Sequence, residues 1–113
     1  MKLPNYEKAY IDINKLKGYC LNTTHETGKH KARLFSSILG LTIEDAEKLK
    51  YYILEAIKTH NAKFTEEDIY GKRFLVEFKI RTSKGDAKIR STWIIKTKEN
   101  FPRLTSCYIL KER

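Results

Sequence analysis

Apolar residues along this chain follow two different periods, helical through the first half and alternating through the second. Ile13, Leu16, Tyr19 and Cys20 recur at helical spacing after a short lead-in, with a brief edge strand at Ala9–Asp12. Asp12 or Asn14 is placed to cap this first helix. A polar loop, Asn22–Gly28 (NTTHETG), separates it from Lys29–Leu39 (KHKARLFSSIL). There Leu34, Phe35, Ile38 and Leu39 make an apolar stripe, and Gly40 is a natural stop. Thr42 opens a third helix, whose stripe of Ala46, Leu49, Ile53, Ala56 and Ile57 runs to about Lys58. Asn61–Tyr70 reads as a polar, acidic connector.

From Gly71 the period becomes 2. Phe74, Val76, Phe78 and Ile80 alternate with Arg73, Leu75, Glu77, Lys79 and Arg81. Ser83–Asp86 supplies a turn, and Ala87–Lys96 continues with Ile89, Ser91, Trp93 and Ile95 on one face. A simple register pairs Thr82 with Ala87, Ile80 with Ile89, Phe78 with Ser91 and Val76 with Trp93. A further run, Arg103–Leu110, follows the break at Phe101-Pro102. Helices first and strands after predict an α+β fold: about three N-terminal helices packed on one face of a C-terminal antiparallel sheet of three to four strands. The whole chain, 1–113, is short enough to need only one core.

Charge adds direction to this picture. The net charge of +9 is unevenly spread: +4 over residues 1–41, −3 over 42–70 and +8 over 71–113. Such a field steers toward a polyanion, and RNA is the expected partner. The opening MKLPNYEKAY lacks an apolar signal core, and no apolar run approaches the ~20 residues of a membrane span. A cytoplasmic protein with no membrane partner is expected. Cys20 and Cys107 fit no metal spacing; they read as two thiols in a reduced cytosol, with a single disulfide as the alternative.

Three groups of residues carry candidate chemistry. With Phe74, Val76, Phe78, Ile80, Ile89, Trp93 and Ile95 toward the core, the opposite face presents Lys79, Arg81, Lys88, Arg90 and Thr92. That strip is spaced for successive phosphates, and like charges crowded on a sheet favour a neutralising ligand. Ser91 breaks the apolar row, so its hydroxyl either bonds locally or edges a cleft, where Trp93 would stack. Lys29, His30, Lys31 and Arg33 gather cations at the start of the second helix, where the dipole does not favour them and a phosphate would. His30 lies among these cations, which disfavour its charged form, and is the candidate base. There is no paired-carboxylate motif, no metal constellation, no phosphate-binding glycine loop and no nucleophile elbow. No cofactor is expected. Any RNA cleavage would use the substrate's own 2′-OH, with the protein supplying a base, cationic stabilisation and orientation.

The segments Lys17–Asn22 (KGYCLN), Gly28–Phe35 (GKHKARLF), Leu39–Ala46 (LGLTIEDA), Arg90–Ile95 (RSTWII) and Pro102–Leu110 (PRLTSCYIL) together cover much of the chain. They resemble a family of small bacterial domains of unknown function, found free-standing and at the C-termini of polymorphic toxins. A looser resemblance is to the barnase–EndoU–colicin D–RelE group of ribonucleases, in which helices precede a curved antiparallel sheet. That second resemblance implies a toxin-like endoribonuclease leaving 2′,3′-cyclic phosphate, with tRNA as one candidate substrate and a small acidic antitoxin or immunity protein as partner. It assigns catalysis to His30, Lys31, Arg33, Arg90 and Ser91, with Lys29 in the basic helix segment and Trp93 stacking; the basic strip read from the alternation adds RNA contacts at Lys79, Arg81, Lys88 and Thr92. The competing expectations are a non-catalytic nucleic-acid-binding module and an interaction domain that docks an acidic protein.

Overall fold

A computed structural model describes residues 1–110; residues 111–113, the end of the expected domain, lie outside the described residues. The first helix, α1 (Ile13–Lys15), continues as a π turn (Leu16–Cys20), and the Asp12 carboxylate caps it by accepting the Asn14 N–H at 2.9 Å. The second, α2 (Lys29–Leu34), likewise runs into a π turn (Phe35–Leu39) and ends at Gly40, whose φ of 69° suits glycine. A single 3₁₀ turn (Ile43–Asp45) leads into α3 (Ala46–Ile57), where Asp45 accepts the Thr42 N–H at 2.9 Å. None of the described helices is long and apolar enough to cross a membrane.

Four strands follow as an antiparallel meander in the order β1-β2-β3-β4: β1 (Ala62–Asp68), β2 (Gly71–Arg81), β3 (Asp86–Lys96) and β4 (Arg103–Ile109). The α+β class and the helix-then-sheet order are those expected. One sheet face carries Phe74, Val76, Phe78, Ile80, Ile89, Trp93, Leu104 and Cys107 into a common core with Leu16, Phe35, Leu49 and Ile53 of the helices. The brief edge strand expected at Ala9–Asp12 is a single parallel bridge, Tyr10 to Arg103, that covers the start of β4.

Two expectations are corrected. The stretch 61–70 is no connector, because most of it forms β1, of which only Ala62 is buried. An edge strand held by its ladder to β2 needs no apolar alternation, so its polar composition concealed it. The β2–β3 register also differs. Arg81 pairs with Asp86, Ile80 with Ala87, Phe78 with Ile89, Val76 with Ser91 and Phe74 with Trp93, a displacement of two residues from the simple pairing. An even displacement leaves every side chain on its expected face but changes its neighbours. Ile95, expected in the core, is only half-buried, whereas Ile94 on the other face is buried.

The turn between β2 and β3 explains the register. Thr82 N–H bonds the Gly85 carbonyl at 2.8 Å, closing a four-residue loop. That loop is docked on the end of the second helix: the Thr82 hydroxyl donates to the Leu39 carbonyl at 2.8 Å and Lys84 Nζ to the Ser36 carbonyl at 3.1 Å. A Cβ at Gly85 would lie 2.8 Å from the Ile38 carbonyl oxygen, so only glycine permits this approach. Gly85→Ala is therefore expected to destabilise the fold by about 1–3 kcal/mol, measured as a lower urea midpoint at unchanged slope.

Candidate nucleic-acid interface

The sheet face opposite the helices is built from the polar members of the same alternation. Glu77 and Lys79 on β2 stand opposite Arg90 and Lys88 on β3, and Arg90 in turn pairs with Tyr108 on β4. The Glu77 carboxylate receives Arg90 Nε at 2.8 Å and an Arg90 terminal nitrogen at 2.6 Å, while Lys88 Nζ lies 3.5 Å away. Arg90 beside it, more than Lys88, holds Glu77 below the ordinary carboxylate range against the opposing effect of burial. Arg90 is in turn held further toward its charged form by Glu77, with a smaller share from the Tyr108 side chain. Lys79 stands directly across from Lys88, a like-charge pair that only a ligand or the nearby acids can offset.

One cation of the second helix reaches this cluster. Lys31 Nζ sits 4.3 Å from the centre of the Tyr108 ring, a cation–π contact that carries its charge over the β4 edge. Two depressions border the cluster. A groove of about 460 Å³ is lined by Lys63, Leu75, Glu77 and Arg90 together with Asn61 and Ala62. Another, of about 300 Å³, is lined by Lys79, Asp86, Ala87, Lys88, Ile38, Ile109 and Leu110.

The sequence-derived residues divide accordingly. Lys79, Lys88 and Arg90 lie together on the open face; Arg81 is there too, exposed and 3.7 Å from Asp86. Lys31 joins them through Tyr108. His30 and Arg33 are exposed and Lys29 half-buried on α2, and no contact draws them to the cluster. Part of the backbone at that helix start is already engaged: Thr27 and Gly28 N–H donate to His25 Nδ1 at 3.1 and 3.0 Å, and Lys29 N–H to the His25 carbonyl. Thr92 shares its hydroxyl with Thr105 at 2.7 Å.

Ser91 follows the local-bonding alternative, and Trp93, which borders a depression of about 250 Å³ with Thr65, Arg73, Phe74 and Thr105, keeps its ring buried. Both are buried, with Ser91 Oγ donating to the Val76 carbonyl at 2.8 Å and accepting Trp93 Nε1–H at 2.9 Å. A hydroxyl inside an apolar row is stable here because it satisfies the indole. Neither side chain presents a free polar atom or ring face to a ligand.

Glu77 and Tyr108 escaped the sequence reading, as did the capping role of His25. Glu77 shares the parity of Lys79 and Arg81 and is the only acid of the β2 run, which is the signal that marked it. Tyr108 required the β3–β4 register, which a bulge beside Thr92 and Trp93 shifts by one residue.

These features define a small α+β domain with a cationic, helix-free sheet face centred on one carboxylate. The chain belongs to the family described as "Domain of unknown function (DUF6883)", whose family model matches residues 2–111. No curated protein matches the chain, and no solved structure does.

Two outcomes follow from this geometry. Ser91→Ala leaves the Trp93 indole N–H without its partner and is expected to cost about 1–3 kcal/mol of stability in urea unfolding. Asp68 and Glu99 are also held below the ordinary carboxylate range, Asp68 chiefly by the Tyr70 N–H and Glu99 by Arg103. With lowered folded-state values, these two groups and Glu77 add stability above about pH 4, which is lost as pH falls through those values. Glu77→Gln should flatten part of that acid limb in unfolding measured from about pH 6 to pH 3.

Proposed function

We propose that this chain is a metal-independent endoribonuclease that binds RNA across the helix-free sheet face and cleaves it beside Glu77. The observation that carries this reading is an ionised carboxylate seated among Arg90 and Lys88 at the centre of that face. A phosphate arriving there competes with Glu77 for Arg90 and Lys88 and frees the carboxylate to act as a base. Glu77 then takes the proton of the 2′-OH, whose oxygen attacks the adjacent phosphorus. Arg90 and Lys88 hold the non-bridging oxygens as negative charge accumulates, and the bond to the 5′-oxygen breaks. The Tyr108 phenol, beside Arg90, returns a proton to that leaving oxygen. The products are a 2′,3′-cyclic phosphate and a 5′-hydroxyl, with tRNA as one candidate substrate.

Compared with the expectation built on His30 and Ser91, the base moves to Glu77, while Arg90 and Lys31 keep cationic roles. The toxin-like reading rests on the resemblance to ribonucleases of that kind, and a small acidic partner suits the same face, since its carboxylates would occupy the phosphate positions. A non-catalytic RNA-binding module is the second reading. It is favoured by the burial of Ser91 and Trp93 and by the exposed position of His30 without a contact to the cluster among the described residues, which leave fewer reactive groups than expected.

Incubation of the purified chain with total tRNA in EDTA separates these readings. The enzyme is expected to leave cyclic-phosphate ends, with the rate falling roughly 100-fold or more in Glu77→Gln and Arg90→Ala and staying near the parent value in His30→Ala. Intact RNA that is nonetheless retarded in a gel at low salt leaves only the binding module. Binding confined to an acidic protein removes both.

A further inference from the structure

Beyond the cluster at Glu77, the open sheet face carries a second cationic feature, at the far end of β3. Strand parity puts Ile94 and Lys96 on the same face as Arg90 and Thr92, and Ile94 pairs with Arg103 of β4. Ile94 is buried, at 6% exposure, and forms an apolar floor on an otherwise charged face. The lead-in segment is fixed alongside: Tyr10 N–H donates to the Pro102 carbonyl at 2.9 Å, and Leu104 N–H to the Tyr10 carbonyl at 3.0 Å. The Tyr10 ring lies 5.2 Å from the Arg103 guanidinium, which is also 4.9 Å from the Phe101 ring. Glu99 grips that guanidinium through two bonds of 2.8 and 2.7 Å. The Tyr10 ring is thus held by an immobilised cation, yet it stays 46% exposed.

A depression of about 220 Å³ opens beside the ring, lined by Tyr10, Lys15, Ile94, Lys96, Arg103 and Leu104. The lining also holds Thr105, bonded to Thr92, and one carboxylate, Asp12, which already caps α1. Lys15 and Lys96 come from separate elements, both are exposed, and neither has an ion-pair partner among the described residues. Cations gathered without counter-charge favour an anionic ligand. An anion alone would need neither the apolar floor nor the fixed ring, whereas a base joined to a phosphate uses all three. The volume lies below the roughly 300 Å³ at which sites for drug-sized ligands begin, so the depression suits a single base with its phosphate at the rim.

We propose that this depression is a nucleotide-binding site, with the base stacked on Tyr10 above Ile94 and the phosphate held by Lys15 and Lys96. Arg103 is a positioning residue that fixes the ring. The site lies four residues along β3 from Arg90, roughly 13 Å away, a gap that a short stretch of single strand bridges. As the seat of a flanking nucleotide of RNA it rests on the ribonuclease reading; a free nucleotide offers the same chemistry.

The isotope-labelled full chain is titrated, with NMR detection, against nucleoside 5′-monophosphates, ribose 5-phosphate, inorganic phosphate and a 2′-O-methyl oligonucleotide that cannot be cleaved. Ligands with a base are expected to shift the Tyr10, Ile94 and Lys96 amides and to bind about 10-fold tighter than the two phosphates without one. Tyr10→Leu, which keeps apolar bulk without a ring, and Lys96→Gln should each weaken that binding about 10-fold while the spectrum of the core stays that of the parent. Tyr10-dependent binding of the oligonucleotide alone marks RNA as the source, and of the monophosphates alone, a free nucleotide. An equal response to inorganic phosphate, or no Tyr10-dependent binding of any ligand, overturns the inference even where RNA is still cut beside Glu77. RNA that stays uncut but binds through Tyr10 removes the ribonuclease reading instead and leaves this site standing.

Discussion

A carboxylate facing a guanidinium across two strands governs the character of the open sheet face. Glu77 and Arg90 meet only because β2 and β3 pair in one register out of the several that would bury the same apolar row. In the register with Ile80 opposite Ile89, Arg90 would face Lys79, and the centre of the face would hold cations alone. The register is set at the turn, where Thr82, Lys84 and Gly85 are fitted to the carbonyls that end the second helix. Those carbonyls need donors, and the turn provides them. A helix terminus thus decides which charges meet four residues further along the strands.

The same accounting of polar groups explains why Ser91 and Trp93 belong to the core. A serine in an apolar row signals either a partner or a cleft, and the partner here is the indole two residues along the same strand. Residues i and i+2 share a strand face, so the pair is a local solution to burying two polar groups at once. Because this solution closes on itself, it holds the sheet together and leaves nothing for a ligand. His25 acts similarly at the second helix, where its ring nitrogen accepts donors that would otherwise await an anion. Ser91, Trp93 and the Thr27 and Gly28 N–H groups are thus engaged inside the molecule, and the chemistry of the open face is left to the basic strip and Glu77.

The uneven charge has a structural counterpart. Lys79, Lys88 and Arg90 stand on adjacent strands around the carboxylate Glu77, and Lys31 arrives from a helix more than forty positions earlier by lying over Tyr108. Most acids of residues 42–70 lie elsewhere, with Glu44, Asp45 and Glu47 at the start of α3, while Asp68 on the exposed β1 edge bonds Arg73 of β2 at 3.2 Å. Segregation of this kind keeps the field of the open face positive while the sheet beneath it tolerates a like-charge pair.

Helix positions, the caps at Asp12 and Thr42, the stop at Gly40 and the inward row from Phe74 to Ile80 were legible in the sequence, because each follows from local spacing and local hydrogen bonding. The basic strip was legible for the same reason, since strand parity assigns a face whatever the partner strand. The strand β1 was not, because an edge strand with little buried surface leaves no hydrophobic period. The partner of each charge, the contact of Lys31 with Tyr108 and the burial of Cys20 and Cys107 in one core were decided by tertiary structure alone. Register, helix docking and long-range pairing depend on contacts between distant segments, and periodicity along one segment carries no information about which distant segment lies beside it.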